Sequence, residues 1–292
     1  MKTLIVIPAR YNSTRLPGKP LMEIAGKPML RRVLNKALVA ARAAGGQCEL
    51  CIATDDHRII AAAHDWPEVK AQGVILSLTP ADCPSGSDRA YLAYQQRRAQ
   101  AADDYDLIVN LQGDAPFTPS SYIKELIACA AAYPSDQHES SPAIFTPLVT
   151  LDWQAYDDLA AKKQQLDVNK RSSGTTCVVD PKGRALWFSK NLLPLLRNET
   201  KLRAQSSLSP VLRHIGLYAY RPWALERFVL RGESHYESLE GLEQLRALEM
   251  NMWIQTLNVQ PAVLAMTGVD TADDLYEAQR RLEKEGDDWQ EI

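Results

Sequence analysis

Leu4-Ile5-Val6-Ile7, followed by Pro8-Ala9-Arg10-Tyr11-Asn12-Ser13-Thr14-Arg15-Leu16-Pro17-Gly18-Lys19-Pro20, is the stretch on which the fold turns. Four consecutive apolar residues, three of them β-branched, read as a strand buried on both faces, the kind found in parallel sheets. The loop after it carries Arg10, Arg15 and Lys19 among Ser13, Thr14 and Gly18. Cations so crowded repel one another unless an anion lies among them. Arg forks match phosphate oxygens, Lys adds a point charge, and Gly lets backbone N–H groups come close. Open α/β sheets bind ligands at the carboxyl ends of their strands. The stretch therefore predicts a parallel α/β sheet whose first loop cradles a nucleoside triphosphate. A solvated basic loop is the plainer alternative; the preceding strand and the Pro17-Gly18-Lys19 turn favour the cradle.

The bulk composition fits such a protein. The chain has 292 residues, 46% hydrophobic and 24% charged, ordinary for a soluble globular fold with a sizeable core. A net charge of −3 argues against a basic face for nucleic acid, so the basic loop is a local site. No apolar run approaches the roughly 20 residues of a membrane-spanning helix. The first residues read as strand and not as a signal peptide, so a cytoplasmic location without a membrane partner is the expectation. Five cysteines in a chain this long make no disulfide framework. Cys48 and Cys51 form a C-x-x-C, but Glu49-Leu50-Cys51-Ile52-Ala53-Thr54 reads as a strand, where residues three apart face opposite ways. Both are taken as packing residues. The five histidines lack metal-ligand spacing.

Strand and helix patterns alternate through the first half. Helices are expected over 29–44, 57–64, 119–133 and, after Ser85-Gly86-Ser87-Asp88, through about 100, and strands over 49–54, 74–76 and 106–111. This alternation predicts a mostly parallel, doubly wound (Rossmann-like) sheet covered on both faces. The second half reads as a smaller, more antiparallel β-rich region. Strands are expected over 143–150, 175–179, 185–188 and 215–220, with a helix over 153–165. Residues 201–210 are polar and read as a mobile loop, the candidate lid. Leu239, Leu242, Leu245 and Leu248 stripe a helix expected over 236–251. Thr271-Ala272-Asp273-Asp274 opens a last helix as a capping box. The whole, 1–292, reads as one α/β domain, with 170–235 as its smaller lobe for sugar binding and dimerisation.

Asp114 follows the apolar strand 106–111, where a carboxylate can hold Mg²⁺ against phosphates; the alternative is a turn Asp bonded to its own backbone. Asp270 is a second carboxylate before a helix, a place Asp also favours for the helix's own sake. Two such carboxylates that met would hold a metal better than either alone. Ser85-Gly86-Ser87-Asp88-Arg89 has two readings: Ser85 or Ser87 caps a helix, or the turn presents backbone N–H groups to a nucleotide or sugar with Arg89 nearby. Arg213-His214 and Glu243-Gln244 would not be singled out by chemistry alone.

Together these segments resemble one family, the 3-deoxy-manno-octulosonate (Kdo) cytidylyltransferases, or CMP-Kdo synthetases. The matching pieces run in order: Ile7-Pro8-Ala9-Arg10-Tyr11 through Leu16-Pro17-Gly18-Lys19-Pro20-Leu21, Gly26-Lys27-Pro28-Met29, Ala53-Thr54-Asp55-Asp56, Ser85-Gly86-Ser87-Asp88-Arg89 and Val109-Asn110-Leu111-Gln112-Gly113-Asp114. Then come Phe188-Ser189, Arg213-His214-Ile215-Gly216-Leu217-Tyr218-Ala219-Tyr220, Leu242-Glu243-Gln244-Leu245-Arg246 and Gly268-Val269-Asp270-Thr271. They span nearly the whole chain. The resemblance implies a transferase that uses CTP and Mg²⁺. The anomeric hydroxyl of a 3-deoxy-2-ulosonic acid would attack the α-phosphorus and release pyrophosphate, in a dimer that supplies sugar for lipopolysaccharide. By the same resemblance Pro8, Ala9, Arg10, Arg15, Lys19, Ser85 and Gly86 would bind the nucleotide, and Asp114 and Asp270 the metal. Arg10, Arg15, Lys19, Asp114 and Asp270 would be catalytic. Gln112, Arg89, His214, Tyr218, Glu243 and Gln244 would line the sugar site.

Several positions depart from the family's pattern. Ala115 stands where Glu is usual, Cys83 where His is, Ser87 for Thr and Lys190 for Arg. Leu193-Pro194-Leu195-Leu196-Arg197 replaces Ile-Pro-Trp-Asp-Arg, and 169–176 lacks the usual Val-Lys-Val-Val. The changes gather in the half expected to hold the sugar, so an analogue such as 8-amino-Kdo is an expected acceptor beside Kdo. A sialic-acid cytidylyltransferase would share the first loop but lack the Arg-His-Ile-Gly and Leu-Glu-Gln-Leu-Arg blocks. A glycosyltransferase should show D-x-D where Gln112-Gly113-Asp114 stands, and a dinucleotide dehydrogenase a G-x-G-x-x-G. A non-catalytic nucleotide-binding relative is the remaining alternative, since fold does not fix function.

Overall fold

The structure is a computed structural model that describes residues 1–12, 16–100, 104–135, 141–164, 174–262, 268–287 and 289–290. The first-half elements are β1 (Lys2–Ala9), β2 (Glu23–Ile24), β3 (Lys27–Pro28), α1 (Met29–Ala43), β4 (Gln47–Thr54), α2 (His57–His64), α3 (Pro67–Ala71), β5 (Ile75–Leu78), α4 (Gly86–Arg98), β6 (Leu107–Leu111) and α5 (Ser120–Ala131). Then follow β7 (Ile144–Asp152), α6 (Trp153–Lys163), β8 (Thr176–Val179), β9 (Ala185–Ser189), α7 (Glu199–Gln205) and β10 (Leu208–His214). The chain ends with β11 (Leu217–Tyr220), α8 (Pro222–Arg231), α9 (His235–Glu240), α10 (Gln244–Glu249), β12 (Ile254–Val259) and α11 (Ala272–Glu285). These form two compact units: 1–132 with 217–229 and 262–292, and 133–216 with 230–261. The second unit overlaps the 170–235 stretch read as a smaller lobe and extends beyond it at both ends.

In the first unit the strand order is β5-β4-β1-β6-β11, parallel except for β11, which runs antiparallel to β6. Leu4, Ile5, Val6 and Ile7 are fully buried, as a strand covered on both faces requires. Each such side chain contributes about 1.5–3 kcal/mol relative to exposure. The chain moves outward from β1 through β4 to β5, then returns to β6 on the other side of β1. The order therefore reverses between β1 and β6, and their carboxyl ends open a crevice. Gly113 makes the close approach there possible: its N–H donates to the Pro8 carbonyl at 3.2 Å, and a Cβ would lie 2.6 Å from that oxygen. Val269, Ala278 and Leu282 pack with Ile24, Met29 and Phe117, which seats α11 on the unit. The Thr271 capping box with Asp274 is present as expected.

The second unit's sheet has the order β12-β7-β10-β8-β9. Only β12 and β7 are parallel; the other pairs are antiparallel. Two expectations fail here. Residues 201–210 are not a loop: α7 runs to Gln205 and β10 begins at Leu208. Arg203 pins the helix through Glu199 at 2.7 Å and Asp157 at 2.5 Å, and its guanidinium lies 4.3 Å from the Trp153 ring centre. The polar composition reflects ion pairing. Nor is 236–251 one helix. Gly241 adopts a left-handed conformation (φ 59°) that ends α9, and α10 begins at Gln244. Leu239 is consequently 69% exposed while Leu245 is fully buried.

Candidate active site

The site grows out of how the first loop is tied down. The Gly18 N–H donates to the Tyr11 carbonyl at 3.0 Å, closing the loop at its base. Gly18 has φ 71°, and a Cβ on it would meet the Tyr11 hydroxyl at 3.1 Å, so the turn demands glycine. Tyr11 is held in turn by the Asp55 carboxylate, which accepts from its N–H at 3.2 Å, and by the Arg58 guanidinium 3.5 Å from its ring centre. A single 3-10 turn, Lys19–Leu21, follows and fixes the backbone of Lys19. Of the three loop cations, Arg10 is exposed and Lys19 buried, while Arg15 lies outside the described residues.

Lys19 brings two distant carboxylates together. Its Nζ donates to Asp114 Oδ2 at 2.8 Å and to Asp270 Oδ1 at 3.0 Å. The turn alternative for Asp114 gives way to this ion pair. Other contacts hold the backbone of the two acids. The Val269 N–H donates to the Asp114 carbonyl at 2.9 Å, and the Asp270 N–H donates to Asp274 Oδ2 at 3.0 Å.

A cleft of about 220 Å³ opens over this pair. Pro8, Ala9, Arg10, Lys19, Ser85, Gly86, Arg89, Gln112, Asp114 and Asp270 all line it, as do Asn12, Pro20, Cys83 and Gly113. Ser85 answers both of its readings. It caps α4 by accepting from the N–H groups of Ser87 and Asp88, and it lies on the cleft wall. Gly86 is needed where it stands, because a Cβ would lie 2.9 Å from Gln112 Oε1. Arg89 is nearly buried; its guanidinium donates to Thr79 Oγ1 and faces Asp55 at 3.7 Å. Burial pushes the Cys83 thiol up from its usual range, which leaves it a neutral wall group. Sequence reasoning did not assign roles to Asn12 or Asp55. Asp55 follows a strand's carboxyl end just as Asp114 does, and that shared position was the available signal.

A sequence profile described as Cytidylyltransferase matches residues 4–254. A 3-deoxy-manno-octulosonate cytidylyltransferase of Maricaulis maris is 36% identical over 98% of this chain and 99% of its own. One from Yersinia enterocolitica is 37% identical over 94% of this chain and 96% of its own. The chain belongs to the Kdo cytidylyltransferase family. A solved CMP:2-keto-3-deoxy-manno-octonic acid synthetase, complexed with CTP, superposes with a TM-score of 0.75 at 31% identity, covering 98% of this chain and 100% of that one. As a member of this family the protein is a nucleotidyltransferase.

The residues expected from the resemblance to line the sugar site fall in both units. Gln112, Arg89 and Tyr218 lie in the first; Tyr218 sits on β11 opposite Asn110 and is nearly buried. His214, Glu243 and Gln244 lie in the second. His214 ends β10, with Nε2 at 2.9 Å from Thr146 Oγ1 and the Phe188 ring edge-on at 5.1 Å. Burial drives its pKa down to about 3, so the imidazole is neutral. Glu243 immediately precedes α10 without a side-chain capping bond, and the buried Gln244 Nε2 has no hydrogen-bond partner among the described residues. Lys190 donates its backbone N–H to Glu240 Oε2 at 2.8 Å, and Ser189 donates to Oε1 at 2.7 Å.

Proposed function

We propose that this protein transfers CMP from CTP to the anomeric hydroxyl of Kdo, or of a close analogue such as 8-amino-Kdo, and releases pyrophosphate. The observation that carries this reading is the meeting of Asp114 and Asp270 on Lys19, beside Arg10, at the mouth of β1 and β6. Cations for a triphosphate and carboxylates for a divalent metal stand in one cleft. The family relatives are named for the acceptor, Kdo.

Mg²⁺ fits the residues present. The two carboxylates already converge on one cationic group, and both offer hard oxygen donors. No cluster of three His, Cys, Asp or Glu forms a metal cage among the described residues. Mg²⁺ in nucleotide sites takes one or two carboxylates and completes its shell with phosphates and water. What it supplies when bound is charge neutralisation on the triphosphate and a lower pKa for the attacking hydroxyl. The protein's own groups do the rest. Arg10 and Lys19 hold the triphosphate and stabilise charge on the departing pyrophosphate; Arg15 is assigned this role by family resemblance. Gly86 and Gly113 leave room for close backbone approach. Gln244, whose buried Nε2 has no hydrogen-bond partner among the described residues, is assigned to the sugar by family resemblance. Catalysis then rests on positioning and electrostatics.

A homodimer in the cytoplasm that feeds lipopolysaccharide synthesis completes the proposal. No helix among the described residues is long and apolar enough to cross a membrane. The test is pyrophosphate release with CTP and Mg²⁺ and, in separate reactions, Kdo, 8-amino-Kdo and a sialic acid. Release with Kdo is expected. Release only with 8-amino-Kdo would place the altered specificity in the half that carries Lys190. Release only with sialic acid, or with none despite Mg-CTP binding, would overturn the proposal. Asp114→Asn should lower turnover by roughly 100-fold or more and leave the melting temperature close to that of the parent.

A further inference from the structure

Lys19 stands where a metal would have to stand. Its ammonium lies within 3.0 Å of an oxygen from each of Asp114 and Asp270, and its side chain is only 11% exposed. Ammonium and divalent cation cannot both occupy the space between these oxygens, because two cations at such separations repel strongly. Metal entry therefore requires the lysine to leave.

The local architecture permits that exit. The backbone of Lys19 is fixed: its N–H donates to the Leu16 carbonyl at 3.1 Å and its carbonyl accepts from Met22 at 3.1 Å. The flexible four-carbon stem is the part free to swing. The backbone of each acid is anchored apart from the lysine, by the Val269 N–H on the Asp114 carbonyl and by Asp274 on the Asp270 N–H. The same cleft is lined by Arg10, so an incoming triphosphate lies within the lysine's reach.

Resting on the nucleotidyltransferase reading above, we propose that Lys19 is an internal counter-cation that keeps the Asp114–Asp270 pair closed to divalent metal until a triphosphate draws its ammonium away. Nucleotide and metal then bind with positive coupling: the anion removes the lysine from the acids, and the metal replaces it. One residue thus serves the carboxylates in the free protein and the phosphates in the complex.

The test is Mn²⁺ binding to the nucleotide-free full chain, read by the loss of the free-ion EPR signal. Lys19→Met should bind Mn²⁺ at least 10-fold more tightly than the parent, and adding Asp114→Asn should abolish the gain. Arg10→Gln removes a cation from the same cleft wall and should change affinity less than 3-fold. Equal gains from Arg10→Gln and Lys19→Met would reduce the effect to diffuse charge and overturn the proposal. So would a Lys19→Met protein that binds Mn²⁺ like the parent. If Lys19→Met does not fold, Lys19→Gln, which keeps donor groups on a shorter and neutral side chain, carries the same expectation. The two readings fail separately. A parent that turns over CTP while Lys19→Met gains nothing sinks the counter-cation alone. A Lys19→Met gain in a protein without any nucleotide turnover sinks the proposed reaction alone.

Discussion

The two units use charge in opposite ways. In the first, Lys19 meets Asp114 and Asp270 at a cleft, and those carboxylates are 37% and 44% exposed. In the second, Arg246 meets Glu237 with side chains 7% and 10% exposed. The first arrangement can exchange partners, because water and ligands reach it. The second cannot, because any partner other than the one supplied would leave a charge stranded in the interior. The difference separates a site that binds from a brace that holds α9 and α10 together, though both are ion pairs of similar length.

The largest expected effect breaks that comparison directly. Arg246 makes two bonds to Glu237, at 2.8 Å and 2.5 Å, and Glu237 also accepts from the Ser234 N–H at 2.9 Å. Arg246→Met strands a buried carboxylate and should cost about 3–5 kcal/mol. Glu237→Gln added to it should recover much of the loss. Lys19→Met should cost clearly less, since Asp114 and Asp270 can hydrate. Urea unfolding of the three variants measures this, and equal losses for Arg246→Met and Lys19→Met would erase the distinction.

A second comparison sets glycine against glycine. Gly113→Ala drives a Cβ into the Pro8 carbonyl, backbone against backbone, whereas a Cβ on Gly216 in the second unit meets nothing within 4 Å. Overpacking predicts a loss of about 1–3 kcal/mol for Gly113→Ala, and about 0.5 kcal/mol or less for Gly216→Ala. Thermal melts of the two variants decide it.

The same contrast explains what the sequence made legible. The first unit was readable because its β1 run is buried on both faces and its helices alternate with strands, so pattern and position coincide. The cleft followed from the loops at those strand ends. The meeting of Asp114 and Asp270 on one lysine was not readable: they lie 95 and 251 positions away from it, and only the fold connects them. The second unit was harder because its strands bury polar groups. Gln255 and Thr256 are 4% and 7% exposed on β12, and a strand with such residues inside carries no clear apolar alternation. β10 was partly hidden in the same way, its polar entry merging with the ion-paired α7 into what read as a loop. The leucine stripe of 236–251 misled for a different reason. A leucine at every third position continued through Gly241, but the backbone there turned left-handed and ended the helix.

The smallest effect concerns protons, and it too divides the units. His214 is buried and neutral, with its pKa driven down to about 3, while the side chain of His64 in the first unit is 68% exposed. The unfolded chain protonates His214 near pH 6.5, whereas the folded chain resists protonation until far lower pH. The unfolded state therefore binds the extra proton in this window, and stability is lost as pH falls below 6.5. Between pH 6.5 and 5.5 the loss from one such histidine is roughly 1 kcal/mol. His214→Gln keeps a group able to bond Thr146 and removes the titration, so its urea-unfolding free energy should lose that slope. A parent whose stability is flat across this range, or a His214→Gln protein with the parent's slope, would mean that His214 takes up its proton in the folded state. The second unit's interior would then admit charge as the first unit's cleft does.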